Sequence, residues 1–184
     1  MRFLSELILH IETATKICSV ALSDSGTLLD SLDKEPSEYI HGEYPTLFIE
    51  ELLQNGNNTF QDLCAISVSI CPGSYTGLRI GLAVAKGLCF GLKIPLITVE
   101  TLDSLLALGR EVQPDQNLCA VLDARRMEVY SKIISSEETV MSDTEATIID
   151  ESTFTDFEPF VCFGDGAAKL SEIWSGRDIT INND

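Results

Sequence analysis

The chain reads as an α/β protein of two related subdomains, and three observations predict it. Short apolar runs rich in β-branched residues alternate with longer runs whose apolar residues recur at helical spacing. Their order is β-β-β-α-β-α-β, followed after a polar linker by a weaker β-β-β-x-β-α. The 184 residues suffice for one domain or two small ones around sizeable cores.

The elements follow in order. "LILHIE" at 7–12 is a first strand, and "KICSVALSDSGTLLDSLDKE" is a hairpin turning at Ser23–Gly26. In "HGEYPTLFIEELLQ", Tyr44, Leu47, Phe48, Leu52 and Leu53 recur at helical spacing. Pro45 fits only a first turn, so that helix starts near Glu43 or Tyr44. "NGNNTFQD" is a loop, "LCAISVSI" a buried strand, "TGLRIGLAVAKGLCFGL" a helix and "IPLITVE" another strand. "TLDSLLALGR" is a short helix with Thr101 or Asp103 available as its cap. The linker "EVQPDQN" at 111–117 divides the chain into subdomains 1–110 and 111–184. Beyond it, "LCAVLDA" and "MEVYSKIIS" are strands and "EATIID" a third, while "PFVCFGDG" is a later strand and "AAKLSEIW" a short helix. The sequence stops at "ITINND", after a β-like segment, where a closing helix is expected; a truncated chain accounts for that.

Composition narrows the function. A 45 % hydrophobic content excludes a disordered chain. No apolar run approaches the ~20 residues of a membrane span. "MRFLSELILHIE" is too short and too polar for a secretory signal, so a cytoplasmic protein is expected. Most of the six cysteines sit in apolar runs and none forms a C-x-x-C pair, so they read as reduced, buried small hydrophobes. The net charge is −17, and nine Asp or Glu residues fall between Ile133 and Ala168 with no Lys or Arg. A phosphate backbone would be repelled. Arg79, Lys86, Lys93, Arg125, Arg126 and Lys132 are the cations available for direct RNA contact, against a reading of solvated surface or complementarity with a partner.

The stretch "ICPGSYTGLRIGLAVAKGLCFGL" carries five glycines. It fails the phosphate-loop spacing, because Gly73 is followed at the required offsets by Leu78, Arg79 and Ile80. It lacks G-x-G-x-x-G, and Ser74 directly after Gly73 is wrong for a nucleophile elbow. Ser74, Tyr75 and Thr76 read as helix-capping residues rather than nucleophiles. Gly73, Gly77, Gly81 and Ala85 are four apart and share one helical face. Each helical glycine costs about 1 kcal/mol against alanine, so close packing must compensate. Leu78, Leu82, Val84, Leu88 and Phe90 are expected to bury the other sides against a sheet. Spacing alone leaves open whether the small-residue row meets this chain or another molecule.

"IETATKICSVAL", "CPGSYTGLRIGLAVAKGL", "IPLITVETLDSLL", "LDARRMEVY" and "FGDGA" together resemble the TsaB (YeaZ) family, glycoprotease-like proteins of the actin/Hsp70/sugar-kinase (ASKHA) fold. The match runs from about Leu7 to Ala168. Glu12 stands where the family more often has Asp, and "HGEYP" departs from its usual His-Ser-Glu opening. The family's final helix is missing.

The resemblance implies a non-catalytic subunit that dimerises with the catalytic paralogue TsaD, alongside the ATPase TsaE, in making threonylcarbamoyladenosine at adenosine 37 of ANN-decoding tRNAs. It implies contact through the two N-terminal helices. That places His41, Tyr44, Phe48, Gly73, Tyr75, Thr76, Gly77, Arg79, Gly81 and Ala85 at the partner interface. Self-pairing of the isolated chain is expected, with tRNA reached only through the complex and no membrane. The catalytic paralogue's H-x-x-x-H metal pair falls on Thr101 and Leu105 here, so no metal is expected. In this fold class "ETAT" and "DARR" flank nucleotide phosphates, making Glu12, Thr13, Thr15, Asp123 and Arg125 candidates for weak ATP or ADP binding. The competing reading is that these turns satisfy only their own backbone. No activity of the chain alone is expected; the alternative is a metal- or nucleotide-dependent hydrolase, a glycoprotease-like peptidase or weak ATPase.

Overall fold

The computed structural model describes residues 6–34 and 44–182. The chain divides into two compact units, Met1–Val99 and Glu100–Asp184.

The first unit runs β1 (Leu7–Glu12), β2 (Cys18–Asp24), β3 (Thr27–Lys34), α1 (Tyr44–Asn55), β4 (Ala65–Ser69), α2 (Tyr75–Leu92) and β5 (Leu96–Val99). Its sheet has the order β3-β2-β1-β4-β5. The first three strands are an antiparallel meander, and β4 and β5 add in parallel. Ser25 and Gly26 make the β2–β3 turn with φ of 51° and 80°. Two consecutive positive φ values suit the right-handed twist of a two-residue hairpin.

Alternation along β1 sends Leu7, Leu9 and Ile11 into the core. Ile49, Leu52 and Leu53 of α1 and Ala85 and Cys89 of α2 enter the same core, so both helices lie on one side of the sheet. Each fully buried Leu or Ile there contributes roughly 1.5–3 kcal/mol relative to exposure. α1 begins at Tyr44 with Pro45 in its first turn, as its missing N–H requires. α2 opens on Ser74, whose hydroxyl accepts from the Gly77 N–H at 3.3 Å, and closes on Lys93 in the left-handed region.

The second unit runs α3 (Thr101–Val112), β6 (Leu118–Asp123), β7 (Glu128–Ile134), β8 (Val140–Ile148), β9 (Phe160–Phe163) and β10 (Ile179–Ile181). Its sheet order is β10-β9-β6-β7-β8. Again three antiparallel strands come first and two parallel strands follow. The two units therefore share one winding, the duplication that residue identities left unproven.

Several details differ from the expected pattern. The boundary falls at Val99 rather than after Arg110, because α3 packs Leu102 and Leu106 onto Leu118, Ala120 and Leu122 of β6. Gly109 permits that approach: a Cβ there would meet the Phe163 ring at 2.4 Å. The cap of α3 is Glu100, not Thr101 or Asp103, and the buried Thr101 hydroxyl has no hydrogen-bond partner among the described residues. The third strand is β8, nine residues long. "AAKLSEIW" forms only a 3-10 turn at Ala168–Leu170, and "ITI" is a strand parallel to β9.

Lys132, 8 % exposed, anchors α3 to the second sheet. Its ammonium lies 2.7 Å from Asp103, 3.5 Å from Asp143 and 3.9 Å from Glu100. Trp174 closes the far end of this core, edge-on to Phe160 and Phe154, with its indole N–H donating to the Asp150 carbonyl. Among the described residues no helix is long and apolar enough to cross a membrane.

Candidate functional site

Each unit presents a similar local construction: a turn between its first two strands, with a glycine from a neighbouring loop packed on the turn itself in the first unit and on the strand leading into it in the second. In the first unit the turn is Thr13–Ile17. Glu12 accepts from the Ala14 N–H at 2.6 Å and from the Ser69 hydroxyl. Thr13 donates its hydroxyl to the Gly77 carbonyl at 2.8 Å, and Thr15 accepts from the Ile17 N–H at 3.2 Å. The Ser74 N–H donates to the Ala14 carbonyl at 2.6 Å. Three residues named as nucleotide candidates thus have their side chains engaged by local groups. Ser69, on β4, completes that network and was not foreseen; only the fold brings it to Glu12.

In the second unit the turn is Ala124–Met127. Asp123 accepts from the Arg125 N–H at 2.9 Å and from the Lys169 ammonium. Lys169 also donates to the Glu128 carbonyl at 2.6 Å, and the Asp123 N–H donates to Asp165 at 2.8 Å. Gly164, at φ 110°, sits where a Cβ would meet the Val121 carbonyl oxygen at 2.2 Å. Asp165 and Lys169 were missed because they lie some forty positions away in sequence. Arg125 and Arg126 have φ of 74° and 50°, and with Ala124, Met127, Glu128 and Ile148 they line a cavity of about 500 Å³.

The row Gly73, Gly77, Gly81 and Ala85 packs against this chain, which answers the question its spacing left open and differs from the partner contact that the resemblance implies for these four. A Cβ at Gly73 would meet the Ala14 carbonyl oxygen at 2.5 Å. At Gly77 it would meet the Thr13 carbonyl oxygen at 2.0 Å, and at Gly81 the Thr13 hydroxyl oxygen at 2.3 Å. Ala85 is fully buried in the core. Four-residue spacing signals a close approach but not what approaches, and here the chain's own first turn fills the groove.

The outward side of the same helix carries different residues. Tyr75 is 70 % and Phe90 88 % exposed, against the expectation that Phe90 packs on the sheet. Gly87 and Gly91 have open space above them. The Arg79 guanidinium lies 3.9 Å from the Tyr75 ring centre. Thr76 and Arg79 are exposed, as is Leu47 on α1, while Tyr44 and Phe48 are half-buried with their rings 5.7 Å apart. His41 lies outside the described residues. Thr101 and Leu105 lie on α3, Thr101 buried and Leu105 packed against the core below. Among the described residues no three His, Cys, Asp or Glu side chains are grouped as metal ligands would be.

Comparison with known proteins gives this architecture its relatives. The family described as TsaD, tRNA N6-adenosine threonylcarbamoyltransferase, matches residues 38–156. The tRNA threonylcarbamoyladenosine biosynthesis protein TsaB of Escherichia coli is 35 % identical, over 67 % of this chain and 52 % of that protein. TsaB of Bacillus subtilis is also 35 % identical, over 67 % of this chain and 53 % of its own length. The chain thus spans about half the length of the curated relatives it matches. YeaZ from Pseudomonas aeruginosa superposes with a TM-score of 0.82 at 24 % identity, covering 97 % of this chain and 84 % of that one. That likeness carries the fold, two ASKHA-like subdomains each with a mixed sheet. By sequence, the chain belongs to the family described as TsaD, tRNA N6-adenosine threonylcarbamoyltransferase, and among its members it is similar to the TsaB (YeaZ) proteins.

Proposed function

We propose that this chain is the non-catalytic assembly subunit that dimerises with a TsaD-like catalytic paralogue in threonylcarbamoyl transfer to adenosine 37 of ANN-decoding tRNAs, in the cytoplasm and together with a TsaE-like ATPase. The observation that carries the reading is the outward side of α2, where Tyr75 stands exposed in the first turn and Phe90 near the other end, between Gly87 and Gly91, which have nothing above them among the described residues. Exposed aromatics beside a flat backbone suit a partner helix that approaches closely and covers them. Among the residues first assigned to the interface, Tyr75, Thr76 and Arg79 lie on this face. In the absence of the paralogue the same face supports self-pairing.

The tRNA is reached through the complex, since a chain of net charge −17 repels phosphates at long range. ATP or ADP at the "ETAT" and "DARR" turns would have to compete with the bonds that already engage Glu12, Thr13, Thr15 and Asp123. Calorimetric titration with each nucleotide tests that site.

The deciding experiment is reconstitution of the tRNA modification from purified components, with this chain omitted, restored, or restored as Phe90→Glu. Modification is expected to vanish on omission, return with the native chain and fall about tenfold or more with the variant. Modification that persists without the chain overturns the proposal, as does saturable hydrolytic turnover by the chain alone.

A further inference from the structure

α2 is an electrostatic exception in this molecule. The chain has 29 Asp and Glu against 12 Lys and Arg, yet the 18 residues of α2 contain no carboxylate. Its cations are ordered. Arg79 and Lys86 are seven apart within it, with Lys93 seven further on at its left-handed C-cap, and Thr76, Ala83 and Phe90 are seven apart between them. That is the a/d spacing of a helix that receives another helix along a seam. All six are exposed, and among the described residues none of the three cations forms an ion pair. The inward glycine row and this outward seam therefore occupy different faces of one helix.

α1 has the opposite sign. It contains no Lys or Arg, and Glu50 and Glu51 lie on its exposed stripe beside Leu47 and Gln54. The two helices insert into one core and touch one another, so an acidic strip and a basic strip run side by side on the same side of the sheet. A two-fold axis lying between two such surfaces and running along the strips sets each acidic strip on the other's basic strip.

We infer that the outward faces of α1 and α2 form a self-complementary charge code, in which Arg79 and Lys86 of one copy meet Glu50 and Glu51 of a second copy. The inference rests on the reading of these helices as the partner-facing surface and specifies which charges select the occupant. Burying Phe90 against the seam supplies contact area, while the paired charges fix orientation and reject helices of the wrong sign.

The test is charge exchange followed by sedimentation-equilibrium measurement of self-association. Arg79→Glu with Lys86→Glu makes both strips acidic, and Glu50→Lys with Glu51→Lys makes both basic. Each variant is expected to dimerise at least about tenfold more weakly than the native chain. An equimolar mixture of the two is expected to recover association as a heterodimer, and the chain carrying all four changes to recover it as a homodimer. All four side chains are exposed, so unchanged thermal melting separates a lost contact from a lost fold. Native-like dimerisation of either variant overturns the inference, as does failure of the mixture to recover. Co-purification of the same variants with a TsaD-like paralogue is a separate readout. Loss of that binding by Phe90→Glu alone bears on the proposed function, whereas recovery by charge exchange bears only on the code.

Discussion

Thr13 and Gly77 hold each other in two ways at once. The Thr13 hydroxyl donates to the Gly77 carbonyl at 2.8 Å, and the Thr13 carbonyl oxygen occupies the space a Cβ on residue 77 would need, 2.0 Å away. The first turn of α2 is thereby locked to the β1–β2 turn, and glycine at 77 is demanded by backbone rather than by a movable side chain.

The four central glycines of α2 are therefore expected to respond oppositely to alanine. Gly77→Ala and Gly81→Ala collide with Thr13 and are expected to destabilise by about 1–3 kcal/mol. Gly87→Ala and Gly91→Ala meet nothing and are expected to stabilise the helix by roughly 0.5–1 kcal/mol. Urea denaturation of the four single variants measures the contrast.

Lys132→Met leaves Glu100, Asp103 and Asp143 facing one another without a cation. A loss of about 1–2 kcal/mol near neutral pH is expected, moderated because the carboxylates are partly hydrated. The lysine's proton affinity is raised, first by its hydrogen bond to Asp103. Its contribution is therefore complete below the free-lysine value of ~10.4 and fades as pH rises through the higher folded value. On the acid side, the Asp143 affinity is lowered by the Thr144 N–H and then by Lys132. Its contribution is present above ~3.9 and lost as pH falls through the folded value. The difference between native and variant stability should be flat across the intervening range and shrink at both ends.

His10, half-buried with Nε2 2.8 Å from the Ser23 hydroxyl, has its affinity lowered by burial. The fold thus favours the neutral ring, and the associated stability is present above the ordinary value of 6.5 and lost as pH falls toward the lower folded value. Thermal melts between about pH 7 and pH 5 should show a decline that His10→Gln reduces, and an NMR titration of the ring should give a midpoint below that of free histidine.

Thiol reactivity should divide sharply by position. Cys71 is exposed and Cys64 partly so, and these are expected to react first with an aromatic disulfide reagent. Burial and the Glu12 charge push the Cys18 thiol up to about 11. Cys119 is fully buried beside Cys162, its register partner on β9, and is held well above its ordinary value, first by hydrogen bonding to that neighbour. Mass mapping of labelled peptides under native conditions should find Cys18, Cys119 and Cys162 unmodified until the protein is unfolded.

What the sequence could reveal depended on the range of the interaction. The hairpin turn at Ser25 and Gly26, the start of α1 at Tyr44 and the Ser74 cap of α2 were legible, because each is set by residues within a few positions. Assigning α3 to the second unit depended on the Leu118–Leu122 surface, which lies beyond a proline-containing linker. Phe90 misled because periodicity names the faces of a helix without saying which one the sheet takes. With Gly81, Ala85 and Cys89 turned inward, Phe90 is left outside. The networks around Glu12 and Asp123 were half legible: their acids stood in short motifs, but Ser69, Asp165 and Lys169 reach them only through parallel strand pairing.

The repeated winding has a consequence for how such a molecule can change over time. A fold drawn twice from one plan owns a spare of each turn, and a spare can drift while its twin preserves the shape. "ETAT" and "DARR" are such twins: one sets hydroxyls after its acid, the other guanidiniums, and a glycine packs on Ala14 within the first and on the Asp123 backbone at the start of the second. Chemistry has been free to diverge at the tips because geometry is guaranteed underneath.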